Sequence, residues 1–194
     1  MGYDVDTMNK KTLISFIVVI AVAIVAVFFF TRSSNEVVPT VPAQDLTVFD
    51  GKNTHFTIEG NEVVLVQGVS EVSVVPDSAS KTTTRYFGNE SKGDLNGDGM
   101  DDVAFLITQD TGGSGLFYYV VVALKTADGY KTTNAFLVGD RIAPQTTEIH
   151  ADSKELYVNF AERKEGEPMT AQPSVGVTLF LKVTPEGVLE GLMK

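Results

Sequence analysis

Asp94, Asn96, Asp98 and Asp102, four oxygen-bearing side chains, recur at close spacing in Gly93-Asp94-Leu95-Asn96-Gly97-Asp98-Gly99-Met100-Asp101-Asp102. Counted from Asp94 they fall at positions one, three, five and nine, and Gly99 stands at position six. A hard cation takes about six to eight oxygen ligands, and alternate residues of a tight turn can aim theirs inward. Asp94, Asn96, Asp98 and Asp102 are therefore candidate side-chain ligands, with Met100 adding its backbone carbonyl. Gly99 tolerates the sharp bend that such a turn needs. Three ligand carboxylates this close repel one another, and a calcium ion would relieve that repulsion. The competing account is an acidic, Asn/Gly-rich turn that holds no metal.

The residues after the loop decide its type. In a helix-loop-helix calcium site, position twelve is a bidentate Glu and a helix follows. Here position twelve is Phe105, and Val103-Ala104-Phe105-Leu106-Ile107 reads as a short buried strand. Asp102 must then close the site. A D-x-N-x-D-G-x-x-D loop ahead of an apolar strand resembles the EF-hand-like calcium loops of FG-GAP and integrin-type β-propeller repeats. Those families repeat the loop, whereas this chain carries it once.

The second chemical feature is the apolar run Leu13 to Phe30, interrupted only by Ser15. As a helix, a run of this length reaches roughly 27 Å, close to the hydrocarbon thickness of a bilayer. Lys10 and Lys11 precede it and Arg32 follows, which favours an N-terminus in the cytoplasm. The expected organisation is a cytoplasmic tail (1–11), a transmembrane helix (12–31) contacting the lipid bilayer, an extracytoplasmic linker (32–45) and a β-rich calcium-binding domain (46–194). A cleaved signal peptide is the alternative. Its small-x-small cleavage site is missing from Thr31-Arg32-Ser33-Ser34-Asn35-Glu36, so an uncleaved signal-anchor is expected. Pro39 and Pro42 make the linker partly extended. The location implied is a single-pass protein of a bacterial cell envelope, and the absence of cysteine fits a domain that does not use disulfides.

The chain has a net charge of −10. Lys10, Lys11, Asp4 and Asp6 balance one another, so this charge lies beyond the apolar run. It argues against nucleic acid and anionic lipid headgroups as partners and favours cations. An envelope protein or a glycan remains the expected macromolecular partner.

The exported part reads as all-β, an antiparallel meander folded as a sandwich, a barrel or a small propeller-like array. Apolar and β-branched runs cover Phe56–Ile58, Val63–Val66, Val72–Val75, Thr82–Phe87, Val103–Ile107, Phe117–Leu124, Thr132–Val138, Leu156–Phe160 and Val175–Val183. Gly112 to Gly115 and Asp128-Gly129 mark hairpin turns. The calcium loop is expected to open a three-strand meander made of Val103–Ile107, Phe117–Leu124 and Thr132–Val138. Of the neighbours Tyr118 and Tyr119, one is expected in the core and one on the surface.

Catalytic signatures are sparse. Ser114 lacks the second glycine of a nucleophile elbow, since Leu116 stands there. Ser78-Ala79-Ser80-Lys81 matches S-x-x-K but runs into Thr82-Thr83-Thr84, which favours a strand over the required helix. His55 and His150 have no His or Cys nearby in sequence, as zinc catalysis would need. Asp140-Arg141 at a strand end reads as a structural ion pair, with a rim site for an anion as the alternative. A carboxylate pair for glycoside hydrolysis could come from Glu59, Glu62, Glu71, Glu148, Glu155, Glu162, Glu165 or Glu167.

Thr83 to Glu90, the loop from Gly93 to Gly99, Gly112 to Gly115, Gly139 to Gln145 and Gln172 to Gly176 together resemble bacterial membrane-anchored envelope proteins of a family without an assigned activity. The resemblance implies location and architecture. More loosely, the order loop, strand, Gly-Gly-Ser-Gly and aromatic strand is similar to that in envelope lysozyme inhibitors. The expected function is thus a binding or interaction module of the envelope, with inhibition of a wall-degrading glycosidase as one form of it. An envelope hydrolase using an unrecognised carboxylate pair is the alternative.

Overall fold

A computed structural model describes residues 48–74 and 80–193. The expected tail (1–11), membrane helix (12–31) and linker (32–45) lie outside the described residues. Among the described residues no helix is long and apolar enough to cross a membrane.

The described residues form twelve strands: β1 (His55–Ile58), β2 (Asn61–Val64), β3 (Val69–Ser73), β4 (Lys81–Gly93), β5 (Asp102–Asp110), β6 (Phe117–Thr126), β7 (Gly129–Thr132), β8 (Phe136–Asp140), β9 (Ala143–His150), β10 (Glu155–Glu162), β11 (Val175–Val183) and β12 (Leu189–Gly191). Every strand pair is antiparallel. Six strands make the central sheet, in the order β3-β4-β5-β6-β7 with β8 also on β6. A second sheet runs β12-β11-β10-β9, and β1-β2 is a separate hairpin.

The apolar runs of β5 and β6 explain the layering. A strand points successive side chains to opposite faces, so an unbroken apolar run has to be covered on both sides. Ala104, Leu106, Val120 and Val122 enter one core, against Leu156, Val158, Phe160 and Leu181 of the second sheet. Val103, Phe105, Ile107, Val121 and Ala123 enter the other, against Phe56, Ile58, Val63 and Leu65 of the hairpin region. All of these except Phe56, Ile58, Val63 and Phe160 are at most 1% exposed. The expected all-β class is what forms, in antiparallel, curled sheets.

Two expectations need correction. Tyr118 and Tyr119 do face opposite ways, but neither is on the surface: they are 9% and 5% exposed and serve the two cores. The run Thr132–Val138 is not one strand. The chain leaves β6 after Thr133 because Ala135 N–H donates to Thr57 O at 2.7 Å and Asn134 exchanges two hydrogen bonds with Leu189. It returns to β6 as β8.

β4 carries the site. Its early half pairs with β3 and β5, and two register shifts between Tyr86 and Ser91 bend the later half. That half meets β9: Asn89 Nδ2 donates to Thr147 Oγ1 at 3.1 Å, and Ile149 N–H donates to Ser91 Oγ at 3.0 Å. Ile149 packs so closely on Gly93 that a methyl group there would come within 2.9 Å of it.

Candidate metal centre

Gly93 and Asp102 are paired across β4 and β5, so the acidic segment is the connection of a β-hairpin. Its first and last carboxylates stand at the mouth of that hairpin. Leu95, 1% exposed, turns into the core and pins the loop from below.

The expected ligands are organised by the loop's own backbone. Asp94 Oδ1 accepts from Gly97 N–H at 2.6 Å, and Asp94 Oδ2 from Gly99 N–H at 3.1 Å. Asn96 Oδ1 accepts from Asp98 N–H at 2.9 Å, and Asp98 Oδ1 from Met100 N–H at 2.8 Å. Asn96 Nδ2 donates to Asp98 Oδ2 at 3.0 Å. Gly97 and Gly99 adopt φ of 90° and 82°, where a side chain is strained. The loop thus curls round Asp94, with both Asp94 oxygens, Asn96 Oδ1 and Asp98 Oδ1 each fixed by a backbone N–H two to five residues ahead.

Asp102 is different. It is 0% exposed. Oδ2 accepts from Leu95 N–H and Oδ1 from Lys125 N–H, both at 2.9 Å. One carboxylate therefore ties the start of the loop, the start of β5 and the end of β6 together. Burial pushes its pKa up most, the two backbone N–H groups pull it down, and the negative charge of Asp98 pushes it up again; the net direction is upward. Ionised Asp102 is thus under-compensated. Asp94 moves the other way, held below the usual carboxylate range chiefly by Lys154 and then by the loop N–H groups.

Lys154 is the residue that sequence spacing misses. It lies 60 positions from Asp94, just before β10, and places Nζ 2.8 Å from Asp94 Oδ2 and 3.3 Å from Asp94 O. The donor set is oxygen throughout, as a hard cation requires, and Lys154 is a stand-in cation on its first member. Both observations fit a calcium site made of Asp94, Asn96, Asp98, Met100 and Asp102. Among the described residues no three His, Cys, Asp or Glu side chains stand together as a metal-holding group. The carboxylates are turned onto N–H groups and Lys154, and the proposed set draws two of its five members from Asn96 and a carbonyl.

The other candidates fall elsewhere. Asp140 and Arg141 form an ion pair at 2.6 Å, and Arg163 Nη1 donates to Arg141 O at 2.8 Å, so the pair braces a strand-end turn. His55 is exposed on β1. His150 stacks on Tyr157 with ring centroids 4.0 Å apart. Lys81 opens a strand, where the S-x-x-K enzymes need a helix, and pairs with Glu71 at 2.8 Å. Glu59 and Glu62 share a cleft of about 380 Å³ with Ser70, Thr82, Thr84 and Gln109, and both are exposed.

No protein-family model matches this chain, and neither a curated protein nor a solved structure does.

Proposed function

We propose that this chain is a calcium-binding β-domain tethered to a bacterial envelope membrane by residues 12–31, where it serves as a binding module. The observation that supports it most is Asp102: a fully buried carboxylate at the closing position of a D-x-N-x-D-G-x-x-D loop, with Asp98 acting on it as a second negative charge. A divalent ion supplies the missing compensation, and it does so where one loop joins three strands. The loop also borders a groove of about 410 Å³ lined by Asn96, Gly97, Asp98, Leu124, Thr184 and Pro185. An ion in the loop would therefore set the shape of a surface that a partner could read, whether an envelope protein (a wall-degrading glycosidase among them) or a glycan.

A hydrolase with a carboxylate pair draws less support. Glu59 and Glu62 share a cleft, but a general acid of this kind needs burial to raise its pKa, and these two are exposed.

Calcium titration of the full chain in detergent micelles tests the metal. With ~1 mM calcium over a ~0.1 mM site, the folded state gains roughly 1.4 kcal/mol. A domain of this size should then melt about 3–6 °C higher. Asp98→Ala should abolish the rise. No rise in the native chain would remove calcium from the function.

A further inference from the structure

We propose that Lys154 is a built-in counter-ion that a divalent cation must displace, and that it sets the calcium threshold of the loop. This rests on the calcium reading above. Asp94 Oδ2 already accepts from Gly99 N–H and Lys154 Nζ, and Asp94 Oδ1 from Gly97 N–H. An oxygen has two lone-pair directions, so Oδ2 has none left for an ion while the ammonium stays. Among the described residues Lys154 is the one cation in ion-pair contact with the loop.

The ammonium is held in place yet free to leave. Its methylene chain runs along the loop, with Cε 3.6 Å from where a side chain on Gly97 would begin. Its backbone has φ 56°, the left-handed region that lysine rarely occupies, and its Nζ reaches Asp94 in the loop. The side chain remains 42% exposed, so it can swing into water without opening a core. A monovalent ammonium balances Asp94 but leaves the Asp98–Asp102 repulsion standing. A divalent ion reaching all three carboxylates balances more charge at shorter range. Lys154 therefore keeps the loop closed when calcium is scarce and yields when it is plentiful.

Calorimetric titration of the full chain in micelles, native and Lys154→Gln, tests the competition with calcium alone as probe. The variant should bind about fivefold more tightly, the order of effect expected for a part-exposed ion pair, and its ion-free form should melt lower than the native chain. Equal affinities in two chains that both bind would overturn the role of Lys154 and leave the site intact. No binding by either chain would overturn the site, and the competition with it. Binding by the variant alone would uphold the competition, with lysine as the winner in the native chain, and overturn the proposed calcium function. Should Lys154→Gln not fold, the native chain answers: the Lys154 side-chain 13Cε and 15Nζ resonances should move to solvent-exposed positions as calcium is added, and resonances that hold still while calcium binds would overturn the displacement.

Discussion

The strands β5 and β6 and the loop that feeds them are neighbours built on opposite terms. Along β5, Val103 to Ile107 are at most 1% exposed, and each face packs on apolar groups from a different layer. Their burial is complete whatever the solvent contains. A few residues upstream, Asn96 to Gly99 are exposed, and Asp94, Asp98 and Asp101 place several negative charges within one turn. Their geometry rests on hydrogen bonds within the loop and on the Lys154 ion pair. Asp102 belongs to both regions, as the last residue of the loop and the first of β5. The lesson is that an exposed polar loop can be fastened to a rigid sheet through two buried side chains, Leu95 and Asp102.

The largest way to break this contrast is to hollow out the rigid side. Phe105 is 0% exposed and touches the rings of Phe49, Phe56 and Tyr86 at centroid distances of 5.3, 6.4 and 5.9 Å. Phe105→Ala should destabilise the domain by about 3–5 kcal/mol, read by chemical denaturation. The loss should be the same with and without calcium. A loss that calcium largely restores would mean that the loop supports the core, and the separation between the two regions would not hold.

Next in size is the junction. Asp102→Ala removes the acceptor for both Leu95 N–H and Lys125 N–H, leaving two donors in a buried setting. At ~1–2 kcal/mol for each such donor, the total is about 2–4 kcal/mol. Melting should fall in calcium-free buffer already. Asp98→Ala, whose side chain serves only the exposed turn, should leave calcium-free melting close to native. Similar calcium-free losses for the two variants would show that the whole loop is structural and that Asp102 has no special place in it.

How much of this was legible follows from the reach of each interaction. The loop, the strand after it and the Asp128-Gly129 turn are local patterns, and each stands where residue spacing puts it: Thr126 pairs with Gly129 across that turn. The all-β class follows from apolar runs of strand length. The two-sided burial of β5 and β6 is present in their unbroken apolar runs, whereas the alternation of Tyr118 and Tyr119 tells only that they face opposite ways, not that both sides are covered. β9, Ala143–His150, has a mostly polar outer face, so nothing in Pro144-Gln145-Thr146-Thr147 announces a strand; it is held by β10 and the bent end of β4. Lys154 was invisible for the same reason. Its partner is 60 residues away, and only the β4–β9 contact brings the two together.

The smallest expected effect concerns a carboxylate that already has its cation. Asp140 accepts from Arg141 Nε at 3.1 Å, from Arg141 Nη2 at 2.6 Å and from Leu116 N–H at 2.9 Å. The Arg141 guanidinium, more than any other group, holds its pKa below the ordinary 3.8, against a smaller upward push from burial. A lowered carboxylate pKa stabilises the fold fully above the ordinary value and loses that contribution as the pH falls through the lower folded value. Asp140→Asn keeps an acceptor for Leu116 N–H but discards the charge. It should therefore cost about 0.5–1 kcal/mol near neutral pH, and the gap between native and variant should close as the pH drops below 3.8. Asp94 and Glu71 titrate in the same direction in both chains, so the difference curve isolates Asp140. Calcium should leave that curve unchanged, because Arg141 has already done for Asp140 what the ion is proposed to do for Asp102. A curve that calcium shifts would place Asp140 within reach of the ion and redraw the boundary between the responsive loop and the rigid remainder.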